Sequence, residues 1–203
     1  MNSHDPAHLI APEIFVFAKE RKKVRPGTSG PAAFMWHTLT MGINTLHPRR
    51  FLPVFFSPES RDSFIQKYYI DHGMTPPAHL SIDPFGLAEA IEYLEEEGVE
   101  LVAPDPVAFS DEGFADEGFA FPPTITLPYE WSAAYYRRVM LELRPGLERL
   151  FKENVDGAED WMNDPADLQK VKERCAAGIE GVLRDARARA GEWERSFKPP
   201  SLP

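Results

Sequence analysis

The densest group of side chains able to do chemistry in this chain lies between residues 71 and 83. It contains two aspartates and two histidines: Asp71, His72, His79 and Asp83. Carboxylate oxygens and imidazole nitrogens can bind zinc or manganese. The spacing matches no known metal-site pattern, and two consecutive prolines, Pro76 and Pro77, separate the histidines. We therefore expect a polar loop near helix ends, with no bound metal and no cofactor.

Single candidates for catalysis are also interpreted as structural residues. Ser57 follows an apolar strand and precedes a helix, where hydrolases place a nucleophile, but the G-x-S-x-G pattern is absent. We expect Ser57 to cap the helix that begins at Pro58. His37 is expected to be a core or interface histidine with one hydrogen-bond partner. Cys175 is expected to be a small buried hydrophobic residue, so no catalytic residue is predicted.

Nucleic acid and nucleotide ligands are not expected. The chain has no G-x-G-x-x-G and no P-loop, and basic residues interleaved with aromatic ones, as an RNA-binding sheet requires, are missing. Five basic residues lie in segment 19–30. A basic loop can bind phosphate or RNA, but it is more often an exposed hairpin tip, and we favour the hairpin tip.

The charge distribution is the most unusual property of the sequence. The net charge is −10, yet residues 68–136 contain no Lys or Arg, and 13 acidic residues lie within 83–130. The pentapeptide DEGFA occurs twice in tandem, at 111–115 and 116–120. Such an acidic block attracts basic partners or cations and repels nucleic acid and anionic lipid. The predicted partner-binding residues are Asp111, Glu112, Phe114, Asp116, Glu117 and Phe119. The alternative is a solvated helix face followed by an acidic loop.

Alternating strands and helices position these residues. Apolar runs predict strands at 13–19, 51–56 and 99–103, and shorter ones at 79–82 and 125–127. Segment 34–46 fits a strand or a helix, and we favour a strand. Ser-Pro and Asp-Pro pairs predict helices starting near residues 58 and 84. Because Pro53 lacks an amide hydrogen, we expect the 51–56 strand to lie at a sheet edge or to carry a bulge.

Helices at 131–153 and 164–197 form the C-terminal part, and Pro145-Gly146 is expected to break or kink the first. In the second, Leu168, Val171, Cys175, Ile179 and Val182 are spaced to form one apolar face. The predicted fold class is α/β, with an α+β variant left open: a mixed central sheet with helices packed on it and a helical C-terminal extension. The predicted domains are residues 1–128 and 129–203, the second packing on the first or on a partner.

Two segments resemble the SseB N-terminal-type domain. LPVFFSPES at 52–60 is similar to the strand-to-helix element of that family, and GVELVAPDP at 98–106 is similar to its strand and Asp-Pro corner. The resemblance covers residues 13–107, about half of the chain. It implies an α/β fold and an uncharacterised, non-enzymatic or accessory role in bacteria, and it implies no catalytic residues.

The remaining composition indicates a cytoplasmic protein. Cys175 is the only cysteine, which excludes an intramolecular disulfide and favours a reducing compartment. The first fifteen residues lack the basic start and apolar run of a secretion signal, and no window approaches a membrane span. We therefore expect neither secretion nor membrane association.

Three functions fit these observations, and the sequence favours the first. It is a non-enzymatic protein-interaction module that binds a partner, basic in character, through the acidic block at 83–130. An alternative is an assembly or scaffold subunit that self-associates through the C-terminal helix. A second alternative is a hydrolase-type enzyme in which carboxylates near strand ends, such as Asp83 and Asp105, act as acid and base.

Overall fold

A mixed β-sheet with helices and a long C-terminal helix make up the fold, and this confirms the predicted α/β class with a helical extension. The computed structural model describes residues 5–20, 34–41, 48–96, 98–109, 124–158 and 161–197. The strands in this part of the chain are β1 (Ile14–Glu20), β2 (Phe34–Trp36), β3 (Leu39–Met41), β4 (Arg49–Phe55), β5 (His79–Ile82), β6 (Leu101–Pro104), β7 (Val107–Phe109), β8 (Thr124–Thr126) and β9 (Trp131–Ser132). The helices are α1 (Pro6–Ile10), α2 (Pro58–Ile65) with a π-helical segment (Gln66–Ile70), α3 (Pro84–Glu96), α4 (Ala133–Asn154) and α5 (Pro165–Phe197).

The chain divides into two compact units, which are described separately. The helical unit comprises Met1–Pro12, Asp83–Ala88 and Ala134–Pro203, and the sheet unit comprises Glu13–Ile82 and Glu89–Ala133. Within the described residues, no helix combines the length and the apolar character needed to cross a bilayer. The predicted domain boundary between residues 128 and 129 stays a prediction.

The larger sheet has the strand order β2-β1-β4-β6-β9, with β3 also paired to β4 and β5 to β1. Strands β4 and β6 are parallel, with Phe51 opposite Leu101 and Val54 opposite Pro104. The strands predicted at 51–56 and 99–103 are therefore neighbours in one layer. Strands β7 and β8 form a separate two-stranded antiparallel sheet.

Strand β4 lies in the middle of the sheet, so the predicted edge position of Pro53 is wrong. Backbone carbonyls of Arg50 and Val54 accept hydrogen bonds from the β6 side, from the amides of Glu100 and Asp105. Because peptide groups alternate along a strand, the nitrogen of Pro53 points to the opposite side. On that side the partner of β4 changes from β3 at Phe51 to β1 at Val54. The missing donor of Pro53 falls in this gap between two ladders.

Both predicted helix starts are confirmed. The Ser57 hydroxyl accepts from the amide of Ser60 at 3.1 Å, at the start of α2. One carboxylate oxygen of Asp83 accepts from the amides of Phe85 and Gly86, each at 3.0 Å, at the start of α3. Each cap satisfies amides that have no partner inside the helix, and the following proline has no amide hydrogen to satisfy.

Aromatic rings dominate the core of the sheet unit. Phe17 contributes from β1, Phe55 from β4 and Phe64 from α2, and their ring centroids lie 5.2–6.1 Å apart. All three side chains are buried. Burial of such rings contributes about 1.5–3 kcal/mol each, so these contacts hold α2 against the sheet.

Helices α4 and α5 pack against each other in the helical unit. Of the five residues predicted to form the apolar stripe of α5, Val171 and Cys175 are fully buried. The other three are half-buried: Leu168, Ile179 and Val182. A Cβ added to Gly178 would lie 2.6 Å from Leu150 Cδ1, and one added to Gly146 would clash with Val182 Cγ1. These two glycines therefore allow the helices to approach closely.

Helix α4 continues through Pro145, so the break considered at Pro145-Gly146 is wrong, and the alternative of a kink stays a prediction. The helix extends on both sides of the proline, because residues such as Leu143 and Leu147 are buried and hold both halves in place. Tertiary packing outweighs the local cost of a proline in a helix, which is about 3 kcal/mol.

Several elements were not predicted. Segment 34–46 contains two short strands, β2 and β3, and the sequence gives no prediction of α1 or β7. Residues 131 and 132, predicted as the start of a helix, instead form β9. Each is five residues or fewer, which is too short to produce a clear periodic pattern.

Candidate functional site

Three of the four residues weighed as metal ligands have separate environments. Asp71 accepts a hydrogen bond from the Gln66 side chain at 2.7 Å, His79 is exposed on β5, and Asp83 caps α3. Among the described residues, no group of three or more His, Cys, Asp or Glu side chains is arranged to bind a metal ion.

Asp105 joins the two segments that carry the SseB-type resemblance. One of its carboxylate oxygens accepts from the Phe56 amide at 3.0 Å and from the Ser60 hydroxyl at 2.6 Å. The Asp105 amide in turn donates to the Val54 carbonyl at 2.7 Å. Ser57 and Asp105 therefore lie at one corner, where β4 and β6 end together, and both bond to backbone groups or to Ser60. We call this group, Ser57, Ser60 and Asp105, the strand-end corner.

The backbone of Asp105 is left-handed, with φ of +42°, the only positive φ at a non-glycine residue in the described chain. Aspartate and asparagine tolerate this conformation better than other side chains because their short polar groups bond locally. The strand-end corner is therefore a built structural turn. The Asp105 carboxylate fixes the start of α2 through its hydrogen bonds. This structural role argues against the alternative in which Asp105 acts as a catalytic acid or base.

Asp83 contacts a histidine that sequence reasoning missed. His8 Nδ1 lies 3.1 Å from an Asp83 carboxylate oxygen, and the His8 ring meets Phe85 edge-on at 5.0 Å. Tyr136, fully buried, donates from its hydroxyl to the Pro84 carbonyl at 3.0 Å. Burial, and then the nearby Asp83 charge, raise the pKa of Tyr136. The contacts of Asp83 fix the first turn of α3 within the helical unit. Because His8 lies 75 residues away in the chain, spacing gives no signal of this pair.

The His37 side chain has one hydrogen-bond partner, as predicted, but the residue is exposed, so the predicted core position is wrong and the interface alternative stays a prediction. Its Nε2 lies 3.2 Å from the Tyr69 hydroxyl, and its ring meets Phe17 edge-on at 6.3 Å. Burial lowers the pKa of His37 and, with the neighbouring Tyr68, raises that of Tyr69. Both groups are therefore neutral near pH 7, and a neutral imidazole can accept a hydrogen bond from the tyrosine hydroxyl. This pair closes the aromatic core of the sheet unit.

Cys175 is buried, as predicted, and its Sγ lies 3.7 Å from the Leu150 carbonyl oxygen. Burial raises the pKa of the thiol. Because the thiolate is the nucleophilic form, this environment makes Cys175 unreactive.

Four of the five exposed large apolar side chains described in the sheet unit lie on β7 or in and just after the π-helical segment, and the fifth is Tyr129. In β7 the inward residue Ala108 is buried, while Val107 and Phe109 are 37% and 46% exposed. On β8 they pair with Thr126 and Thr124, which are also exposed. We name these four residues the outer hairpin face.

The opposite side of this hairpin packs inward. Ala108 and Ile125 contact the aromatic core, which includes Tyr69 of the π-helical segment. Strand β7 contacts that segment directly, and Ile70 and Met74 there are 50% and 40% exposed. The Thr-Ile-Thr alternation of β8 is typical of a half-buried strand, whereas the Val-Ala-Phe of β7 is apolar throughout and gives no such signal. The outer hairpin face is therefore an apolar surface on a hairpin whose position the core fixes.

All of these exposed residues lie in the Lys/Arg-free stretch at 68–136. Its exposed carboxylates in the sheet unit include Asp71, Glu95 and Glu96. Arg49, from outside the stretch, pairs with Glu130 at 2.8 Å. The predicted contact residues Asp111, Glu112, Phe114, Asp116, Glu117 and Phe119 lie outside the described residues, in the segment that joins β7 to β8.

Comparison of the chain with protein-family models, with curated proteins and with solved structures yields no match. The resemblance to the SseB N-terminal-type domain therefore stays a prediction that rests on segments 52–60 and 98–106.

Proposed function

We propose that this chain is a non-enzymatic protein-interaction module that binds a basic partner through the acidic block at 83–130. The observation that supports this most directly is the coincidence of two surface properties in one stretch of chain. Residues 68–136 lack any Lys or Arg, and the exposed large apolar side chains described in the sheet unit all fall within them. Protein-binding surfaces combine such apolar contacts with charges that steer the partner.

The contacts of the chemical candidates support the same proposal. Ser57 and Asp105 satisfy backbone groups at the strand-end corner, and Asp83 satisfies the first turn of α3. His37 and Cys175 contact the two cores. Each of these groups has a structural partner that explains its residue type. We place the protein in the bacterial cytoplasm, in line with the SseB-type resemblance and the buried free thiol.

The experiment is quantitative affinity purification from the source cells with the wild-type chain and two variants. In the first variant, residues 111–120 are replaced by a Gly/Ser segment of equal length, which removes four carboxylates and both Phe114 and Phe119. In the matched control, four exposed carboxylates of α5 are neutralised by the substitutions Glu173→Gln, Glu180→Gln, Asp185→Asn and Glu194→Gln.

We expect the partner to be lost from the first variant and retained by the control, because the net charge changes equally in both. We also expect recovery to fall as salt is raised, since exposed charges are screened within about 10 Å at 0.1 M salt. Equal recovery with all three proteins would rule out segment 111–120 as the contact.

A further inference from the structure

We propose that Asp156 and Gly157 form a site of spontaneous isoaspartate formation, and that Arg174 slows this reaction. The pair is the only Asp-Gly or Asn-Gly sequence in the chain, and it lies in the connection between α4 and α5, within the helical unit. Both reacting groups belong to neighbouring residues, so the modification needs neither an enzyme nor a cofactor. The inference is independent of the proposed function.

The reaction joins the amide nitrogen of Gly157 to the side-chain carbon Cγ of Asp156. As the new bond forms, the amide hydrogen leaves with the hydroxyl of the protonated carboxyl group as water, and a five-membered succinimide results. Water then adds to the main-chain carbonyl carbon of Asp156, and the bond from that carbon to nitrogen breaks. The main chain of the product runs through the side chain of residue 156, so the connection becomes one carbon atom longer.

The first argument is that both reacting groups are accessible and have no other partner. Asp156 and Gly157 are exposed. In the part of the chain that the structure describes, the Asp156 carboxylate has no hydrogen bond or ion pair, and the Gly157 amide donates to no acceptor. A Cβ added to Gly157 would meet nothing within 4 Å outside the adjacent residues, so no packed side chain obstructs the approach.

The second argument is the backbone of the turn. The Ala158 amide donates to the Val155 carbonyl at 3.0 Å, and Gly157 has a φ of +84°, as in a type II β-turn. The hydrogen bond of this turn involves neither the Asp156 carbonyl nor the Gly157 amide. The turn itself therefore does not hold the central peptide plane, and glycine accepts both signs of φ if that plane rotates.

The third argument is the contact that does hold this peptide plane. Arg174 Nη1 donates to the carbonyl oxygen of Asp156 at 2.9 Å and to that of Asn154 at 3.2 Å. Ring closure turns the planar Asp156-Gly157 peptide about the Cα–C bond of Asp156, which moves the carbonyl oxygen away from Arg174. Hydrogen bonds from a charged donor are stronger than neutral ones, so Arg174 opposes this rotation.

Other aspartates of the chain provide internal controls. Asp83 and Asp105 precede prolines, whose nitrogen carries no hydrogen to lose in this reaction. Asp62 precedes Ser63 within α2, where the hydrogen bonds of the helix fix the backbone. We therefore expect isoaspartate at residue 156 of the folded chain and none at these three positions.

The test incubates the full chain under native conditions at neutral pH and follows isoaspartate by mass spectrometry of its peptides. Electron-transfer fragmentation distinguishes the two isomers. Arg174→Ala removes the donor, and Arg174→Lys retains a charged donor at the same position. The matched control is Arg184→Ala, which removes an arginine of the same helix whose side chain is 79% exposed. Asp156→Glu lengthens the side chain, so the five-membered ring cannot form.

We expect isoaspartate to accumulate at residue 156 in the wild-type chain. Arg174→Ala should increase the rate by about fivefold or more, because the loss of hydrogen bonds from a charged donor frees the peptide plane. Arg174→Lys should give an intermediate rate. Arg184→Ala should leave the rate unchanged, and Asp156→Glu should abolish the product.

Three results would overturn the inference. If the folded wild-type chain forms no isoaspartate at residue 156 while the urea-unfolded chain does, the site is wrong. If Arg174→Ala changes the rate no more than Arg184→Ala, the role of Arg174 is wrong. If isoaspartate in the Arg174→Ala variant rises equally at residues 62 and 156, global unfolding explains the increase, and the specific restraint is rejected.

Discussion

Substitution of Asp105 offers the sharpest test of whether the strand-end corner is structural. One carboxylate oxygen accepts from the Phe56 amide and from the Ser60 hydroxyl, at 3.0 and 2.6 Å. The residue also has a left-handed backbone, with φ of +42°. Two separate penalties can therefore be measured, one for losing the acceptor and one for placing an unsuited residue in this conformation.

The magnitudes follow from these two roles. Loss of the acceptor removes the hydrogen bond from Asp105 to the half-buried Phe56 amide, which costs about 2 kcal/mol. An alanine in left-handed backbone adds about 1 kcal/mol, and glycine avoids that addition. Asparagine retains an acceptor oxygen and tolerates the conformation, so it loses only charge assistance, about 1 kcal/mol. We expect the loss of free energy of unfolding to decrease in the order Asp105→Ala, about 3 kcal/mol, Asp105→Gly, about 2 kcal/mol, and Asp105→Asn, about 1 kcal/mol.

The assay has a global and a local readout. Urea unfolding followed by tryptophan fluorescence gives the change in free energy of unfolding, and hydrogen exchange at the Phe56 amide reports the lost bond. Ser60→Ala, alone and combined with Asp105→Asn, measures the coupling of those two side chains. If Asp105→Ala and Asp105→Gly are equally stable, the backbone argument is wrong. If exchange at Phe56 is unchanged in the alanine variant, the acceptor argument is wrong as well.

Three further predictions concern packing, reactivity and pH. Gly146→Ala should destabilise the protein by about 1–2 kcal/mol, and Gly178→Ala by less than about 1 kcal/mol. The smaller effect at Gly178 is expected because the flexible end of a leucine side chain can move away from the added methyl group. A reverse ranking of the two variants in thermal unfolding would contradict this. The Cys175 thiol should react with a thiol reagent only as the protein unfolds, and an immediate reaction of the native protein would refute burial. Because burial lowers the pKa of His37 in the folded state, the unfolded chain binds its proton first, and stability should fall as pH drops below about 6.5. The variant His37→Gln should narrow the difference in melting temperature between pH 7.5 and 5.5, and an unaltered difference would count against the lowered pKa of His37.

The parts of the fold that sequence predicts are those with strong local signals. Apolar runs locate β4 and β6, and the Ser57-Pro58 and Asp83-Pro84 pairs locate helix starts, because capping depends on side chains adjacent in the chain. Long-range arrangements are not visible in this way. The central position of Pro53 depends on β3 and β1 sharing one side of β4, and no local pattern records that.

The candidate surface shows the same limit. The acidic repeat is conspicuous in the sequence, whereas Val107 and Phe109 flank a single buried alanine in a three-residue strand. Their exposure becomes evident only when Ala108 is seen to face the aromatic core. A short strand with two apolar residues is normally interpreted as core. The outward direction of these two residues is a property of the packing, and the alternation alone does not assign which side faces the solvent.

The assembly alternative leads to a final prediction about α5. Self-association through the apolar stripe of α5 requires that stripe to be uncovered, yet Val171 and Cys175 are fully buried. The outward face instead carries charged residues and small ones such as Ala177 and Ala188, which are exposed. Alanines supply little of the large apolar contact that stable interfaces need.

We therefore expect Ala177→Glu combined with Ala188→Glu to leave the mass measured by light scattering unchanged across a wide concentration range. A matched variant with Ala177→Gln and Ala188→Gln separates the effect of charge from that of size. A lower mass in the glutamate variant alone would show that the outward face of α5 joins chains by close, charge-sensitive contact. In that case the scaffold function would replace the interaction module as the better interpretation, because the helix that closes the helical unit would also form the interface.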